Sequence, residues 1–115
     1  MNSVVLMGRL TRDPEIRDGN GTSVARYTLA VDRRGKKAEG EQSADFLPCV
    51  AFGKDADFAG KWLRKGMRIV VSGRLQTGSY TNRDGQKVYT TDVIISSQEF
   101  ADSKTEPSDD GNPFV

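Results

Sequence analysis

The chain contains no histidine and only one cysteine, Cys49. Without histidine it lacks the most frequent general base and a leading metal ligand, and one isolated thiolate cannot build a cysteine-based metal site. The single cysteine also excludes an internal disulfide and fits a reducing compartment. These absences argue against an enzyme and against a metalloprotein.

Long hydrophobic runs are missing as well. No apolar run approaches the roughly 20 residues of a membrane span, and the chain begins directly with a strand pattern rather than a signal peptide. We therefore expect a cytoplasmic protein. With 115 residues, of which 36% are hydrophobic, the chain is long enough for one domain with its own core.

The net charge of +1 hides an uneven distribution. Residues 1–100 contain 16 Lys and Arg against 12 Asp and Glu, whereas residues 101–115 contain 1 against 4. This division predicts a polyanion-binding body with an acidic appendage. Because residues 101–115 are polar, contain two prolines and show no periodicity, we predict that they form a disordered acidic tail.

Alternating apolar and polar residues predict several short strands. In residues 3–10, Val5 and Met7 fall on one face and the other apolar side chains on the opposite face. Residues 13–21 are predicted to be a loop. In residues 24–31 the inward face includes Tyr27. Residues 45–52 are apolar on both faces, with small residues inward, and the outward set is Phe46, Pro48, Val50 and Phe52.

Residues 55–65 change to helical spacing and stop at Gly66. Trp62 falls on the apolar stripe of this helix and is expected to cap the core. Residues 67–75 alternate again, with Leu75 inward. Two further strand-like segments flank the turn sequence Asp84-Gly85, and this pattern predicts a long hairpin. Tyr89, in the second of these strands, is expected in the core.

The order of the elements is three strands, a helix, a strand and a hairpin. It predicts an all-β OB-fold, which is a five-stranded Greek-key barrel with one helix between strands 3 and 4. Other small barrels remain possible from the pattern alone. We assign residues 1–100 to this domain and residues 101–115 to the tail.

Binding a single nucleic-acid strand requires cations along the phosphates and flat aromatic surfaces on which bases stack. The candidate stacking platforms are Phe46, Phe52 and Tyr80. The candidate cations are exposed lysines and arginines of loops and outward strand positions, namely Arg33, Arg34, Lys36, Lys37, Lys54, Arg68, Arg74, Arg83 and Lys87.

Several segments resemble the bacterial and phage single-stranded DNA-binding proteins. They are residues 2–15, Tyr27-Thr28-Leu29-Ala30-Val31, Phe52-Gly53-Lys54, residues 63–66, Gly73-Arg74-Leu75 and Tyr89-Thr90-Thr91. The resemblance implies an OB-fold, a homotetramer, no cofactor, and binding of single-stranded DNA in replication, recombination and repair with little sequence preference.

In that family four aromatic positions stack on bases, and three of them match Phe46, Phe52 and Tyr80. The fourth falls near Gly35, where the sequence has charge instead of a ring. The family's acidic tail docks on replication and repair proteins, and the matching residues here are Asp109, Asp110, Pro113 and Phe114.

Two other functions remain open at the level of residue types. An OB-fold protein-interaction module would use the same tyrosines and arginines. An RNA-binding OB protein would use the same stacking platforms, because the sequence contains no signal for recognition of the 2′-hydroxyl.

Overall fold

A computed structural model of the chain describes residues 1–34 and 43–101. Lys36, Lys37 and residues 102–115, which include most of the predicted tail, lie outside the described residues. The described elements are β1 Val4–Leu10, β2 Glu15–Gly19, β3 Thr22–Asp32, β4 Ala44–Phe52, α1 Lys54–Trp62, β5 Arg68–Thr81 and β6 Lys87–Phe100. None of the described helical segments is long and apolar enough to cross a membrane.

Five strands close into a barrel. The hydrogen-bonded order is β1-β5-β6-β4-β3, and β3 returns to β1 through the pairs Arg9–Ala30 and Leu10–Leu29. The β4–β6 ladder is parallel and the other ladders are antiparallel. Helix α1 lies between the third and fourth strands of the barrel in chain order. This arrangement confirms the predicted OB-fold.

Strand β2 is a sixth strand outside the barrel, in the segment that the sequence predicts to be a loop. All five of its residues are exposed, so no buried face is visible in the pattern. Asn20 and Gly21 connect it to β3 with φ values of 51° and 78°. Positive φ at both central residues is the geometry of a type I′ hairpin turn. The turn chemistry, rather than burial, therefore pairs β2 with β3.

The core consists of the inward residues of the barrel strands and one face of α1. Tyr27 is 4% exposed, which confirms its predicted place in the core. Its hydroxyl donates to Gln98 Oε1 at 2.7 Å, and Gln98 Nε2 donates to the carbonyl oxygen of Asp55 at 3.0 Å. These two bonds join β3, β6 and the start of α1. The helix contributes Ala56 and Ala59 to the same cluster.

Three inward assignments are wrong, and one outward residue is buried. Trp62 is 52% exposed because α1 fills the end of the barrel with Ala59 and the following Leu63, and Trp62 lies beside that stripe. Leu75 and Tyr89 are 45% and 75% exposed because β5 and β6 extend beyond the core while keeping their alternation. Val50 points outward but is buried, since it lies between β3 and β6.

Candidate nucleic-acid interface

Two phenylalanines lie on the outward face of β4. Phe46 and Phe52 are 56% and 45% exposed, and they pair with Ala30 and Val24 of β3. The small inward residues of β4 fill the narrow barrel interior, which leaves the rings outside. Phe52 follows Phe46 by six positions, which places their backbones about 20 Å apart along the strand at about 3.3 Å per residue.

Tyr80 lies on the same side of the sheet, although it belongs to a distant strand. Val50 of β4 pairs with Ile94 of β6, and Ile94 pairs with Arg74 of β5. Directly paired residues share a sheet face. Tyr80 follows Arg74 by an even number of residues, so it shares that face and is 57% exposed. The structure thus brings all three predicted platforms to one surface, the outward side chains of β3, β4, β6 and the part of β5 from Arg74 onwards, here called the outer strip.

A β-bulge maintains this arrangement. Ser72 pairs with Ser97 and Gly73 pairs with Ile95, which leaves Ser96 as an extra residue on β6. Because of it, Ile94 points outward while Ile95 and, beyond the bulge, Gln98 point inward. A side chain at Gly73 would place its Cβ 2.0 Å from the carbonyl oxygen of Ile94. Glycine is therefore required where the bulge brings the two backbones together.

Three of the predicted cations lie on or beside the outer strip. Arg74 is exposed, and its guanidinium donates to Gln76 Oε1 at 3.1 Å. Lys54 is exposed at the start of α1, two residues after Phe52. Arg83 is exposed in the hairpin turn, where the side chain of Asn82 accepts hydrogen bonds from the backbone of residues 84 and 86.

Arg33 and Arg34 directly follow β3, at the start of the connection to β4. Arg33 donates to Asp45 Oδ1, with distances of 2.9 Å from Nε and 2.8 Å from Nη2. Its backbone N–H also bonds to the carbonyl oxygen of Ser43 at 2.9 Å. Arg33 therefore fixes the base of the connection beside Phe46. Arg34 is exposed.

The other two described cations lie outside the strip. Arg68 is half-buried at the start of β5 and pairs with Arg9 of β1, and Arg9 pairs in turn with Ala30, the partner of Phe46, so Arg68 lies in the transverse row of Phe46 but on the far side of β1. Lys87 points to the opposite face of the hairpin from Tyr80, and its Nζ lies 5.7 Å from the ring centroid of Tyr89. The structure therefore separates Lys87 from the predicted stacking platforms.

Arg26 is a cation of the outer strip that the sequence-based list leaves out. It pairs with Val50 on one side and with Glu15 of β2 on the other, so it lies in one transverse row with Arg74. At about 4.8 Å per strand, the two arginines are about 14 Å apart along the row. The available signal was its outward position on β3.

An acidic group borders this row on the side of β2. Glu15 forms an ion pair with Arg17 at 2.9 Å. The hydrogen bond and charge of Arg17, with smaller contributions from other arginines including Arg26, hold the pKa of Glu15 below its ordinary value. The carboxylate therefore stays ionised and limits the positive potential at this edge of the strip.

The described residues contain no cluster of ligands that could hold a metal ion. Cys49 is 1% exposed, and burial raises the pKa of its thiol to about 12. A buried, protonated thiol is not a nucleophile at neutral pH. What the outer strip presents to solvent is exposed rings and cations.

A family model described as the single-strand binding protein family matches residues 1–101. The chain belongs to this family. A relative named "Single-stranded DNA-binding protein" from Clostridium perfringens is 52% identical over 105 residues, which cover 90% of this chain and 67% of the relative. A relative from Clostridium acetobutylicum is 51% identical, and the match covers 87% of this chain and 70% of the relative. A relative from Halalkalibacterium halodurans is 44% identical, and the match covers 97% of this chain and 67% of the relative. The chain spans about two thirds of the length of these relatives.

Proposed function

We propose that this protein is a non-catalytic single-stranded DNA-binding protein that covers an unpaired strand along the outer strip. The bases stack on Phe46, Phe52 and Tyr80, and the nearby cations contact the phosphates. The observation that carries the proposal is the alignment of three exposed rings on one continuous sheet face with Arg26 and Arg74 in a row between them.

Membership of the family supports DNA as the ligand over the RNA-binding and protein-interaction alternatives, since the relatives are named for single-stranded DNA. Stacking explains binding without strong sequence preference, because every base has a π-face. The contacts to phosphate carry no sequence information either. The same reasoning supports a role wherever DNA is unpaired, in replication, recombination and repair.

The test is replacement of Phe46, Phe52 and Tyr80 together by alanine. Each lost stack costs about 1 to 3 kcal/mol, and about 1.4 kcal/mol is a factor of ten in affinity. The triple variant should therefore bind oligo(dT) at least about a hundredfold more weakly than the parent, as measured by fluorescence anisotropy of a labelled oligonucleotide.

A matched variant with Phe46→Tyr, Phe52→Tyr and Tyr80→Phe keeps three rings and should bind within a few-fold of the parent. Thermal unfolding of both variants checks that the barrel is intact. The proposed site is wrong if the folded alanine variant binds oligo(dT) as tightly as the ring-preserving one.

The assembly that we propose is a homotetramer. Val5 and Met7 are 68% and 53% exposed on β1 and, with the half-buried Val70 opposite Met7, form an apolar face on the outside of the barrel. A second copy of the chain would remove this surface from water. Light scattering at micromolar concentration should give four chains per particle, and a monomer would exclude this assembly.

Partners and location complete the proposal. The acidic residues Asp109 and Asp110 with Pro113 and Phe114 would dock on basic pockets of replication and repair proteins. Their position lies outside the described residues, so the support comes from the sequence resemblance. The single, buried thiol of Cys49 fits a reducing bacterial cytoplasm, including the nucleoid, or a phage protein that acts there.

A further inference from the structure

The β5–β6 hairpin exposes aromatic rings on both of its faces. Tyr80 pairs with Val88, and the next pair joins Ser79 to Tyr89. Successive strand residues point to opposite faces, so Tyr80 belongs to the outer strip and Tyr89 to the reverse face of the ribbon. Tyr89 is 75% exposed, more than any of the three predicted platforms. Its ring therefore lies outside the core that the described residues form.

The reverse face has the composition of a nucleic-acid surface. From Leu75 to the turn, its exposed members are Leu75, Tyr89, Lys87 and hydroxyl side chains, and no paired position on it is acidic. These members are Leu75, Thr77, Ser79, Thr81, Lys87, Tyr89 and Thr91. The outward face of the same ribbon, by contrast, includes Asp92 opposite Gln76.

The lysine on this face is already placed against the aromatic ring. Lys87 Nζ lies 5.7 Å from the centroid of Tyr89, within the range of a cation–π contact. A base that stacks on the free side of the ring would bring its phosphates near this ammonium group. Hydroxyl side chains also donate hydrogen bonds to phosphate oxygens. The charge and the chemistry of the face both complement a single strand.

We propose that the reverse face of the β5–β6 hairpin, here called the Tyr89 face, is a second base-stacking surface for single-stranded DNA. One DNA strand would then cross the hairpin and contact both of its faces. Tyr80 holds the strand on the outer strip, and Tyr89 with Lys87 holds the part that has passed over the hairpin. This inference rests on the proposed function, because it requires Tyr80 to lie on the path of the strand.

The test compares Tyr89→Leu with Tyr89→Phe in the full chain, on two oligo(dT) lengths. The short oligonucleotide has about 8 residues, within the range of about 4 to 16 that one OB domain occupies, and the long one is several-fold longer. We expect Tyr89→Leu to weaken binding of the long oligo(dT) about tenfold and to leave the short one within about twofold. Tyr89→Phe should match the parent on both.

Tyr80→Leu in the same assay distinguishes a failure of this inference from a failure of the proposed function. It should weaken binding of both oligonucleotides, and failure to do so would place the fault in the proposed outer-strip site. Lys87→Gln gives an independent measurement if Tyr89→Leu unfolds. It should lower the salt slope of binding to the long oligo(dT) by about 0.7, the contribution of one phosphate contact, without changing the slope for the short one.

Three outcomes would overturn the inference. The first is that the folded Tyr89→Leu variant binds the long oligo(dT) as the parent does. The second is an equal loss on both lengths, which would contradict a strand that crosses the hairpin. The third is an altered particle mass in light scattering with unchanged affinity for DNA, which would assign the Tyr89 face to contacts between proteins.

Discussion

Replacement of Arg26 by glutamine should weaken binding of single-stranded DNA in a salt-dependent way. Arg26 projects from β3 into the transverse row that ends at Arg74, between the levels of Phe46 and Phe52 on β4. If the guanidinium contacts one phosphate, its loss removes about 0.7 from the slope of log affinity against log salt. When salt rises from about 50 to 200 mM, the affinity of the parent should therefore fall by a factor that is about 2.6 times larger than the factor for the variant.

The assay is anisotropy of labelled oligo(dT) at four or more salt concentrations. Arg64→Gln is the matched control, because the Arg64 guanidinium donates to the carbonyl oxygens of Gly60 and Leu63 at the end of α1, at 2.9 and 2.6 Å, away from the strip. Its slope should equal that of the parent. An unchanged slope in the folded Arg26→Gln variant would refute the assignment of Arg26 to the DNA path.

Two further predictions concern stability. Gly73→Ala should destabilise the fold by about 1 to 3 kcal/mol, because the new Cβ would collide with the carbonyl oxygen of Ile94. The control is Gly19→Ala, whose Cβ meets no atom within 4 Å and should leave stability unchanged. Equal melting temperatures of the two variants would contradict this prediction. Above the ordinary thiol pKa of about 8.5, the unfolded chain loses a proton that buried Cys49, with a pKa of about 12, retains. Stability should therefore fall with rising pH by up to about 1.4 kcal/mol per pH unit, and urea unfolding of Cys49→Ala between about pH 8.5 and 10 should show a shallower fall. Equal slopes would contradict the thiol's role.

The sequence predicts the barrel because burial is periodic. In β3, Ala25, Tyr27 and Leu29 recur at every second position and all are buried. The two phenylalanines of β4 were predictable for a related reason, since both faces of that strand are apolar and only one can meet the core. Strand β2 cannot be predicted in this way, because none of its residues is buried and it therefore has no periodic apolar face. Its signal was the Asn20-Gly21 turn.

Periodicity indicates which residues share a face, but it does not indicate where the core ends. Tyr27 and Tyr89 both alternate with apolar neighbours, yet one is 4% and the other 75% exposed. The difference is that β5 and β6 continue beyond the last buried level of the barrel. Leu75 marks this transition, because it pairs with the buried Val93 but is itself 45% exposed. The free surface that results carries Tyr89 and, on the other side, Tyr80.

The continuity of the outer strip depends on a pairing for which no local pattern exists. The parallel ladder between β4 and β6 consists of Cys49 with Val93 and Val50 with Ile94. It joins the half of the strip that contains Phe46 and Phe52 to the half that contains Tyr80. The two hairpins are also connected through β1, but this ladder is the one that places β4 directly beside β6, so that the path from Phe46 and Phe52 to Tyr80 runs over adjacent strands. Val50 and Ile94 therefore determine the geometry of binding although neither is charged or aromatic.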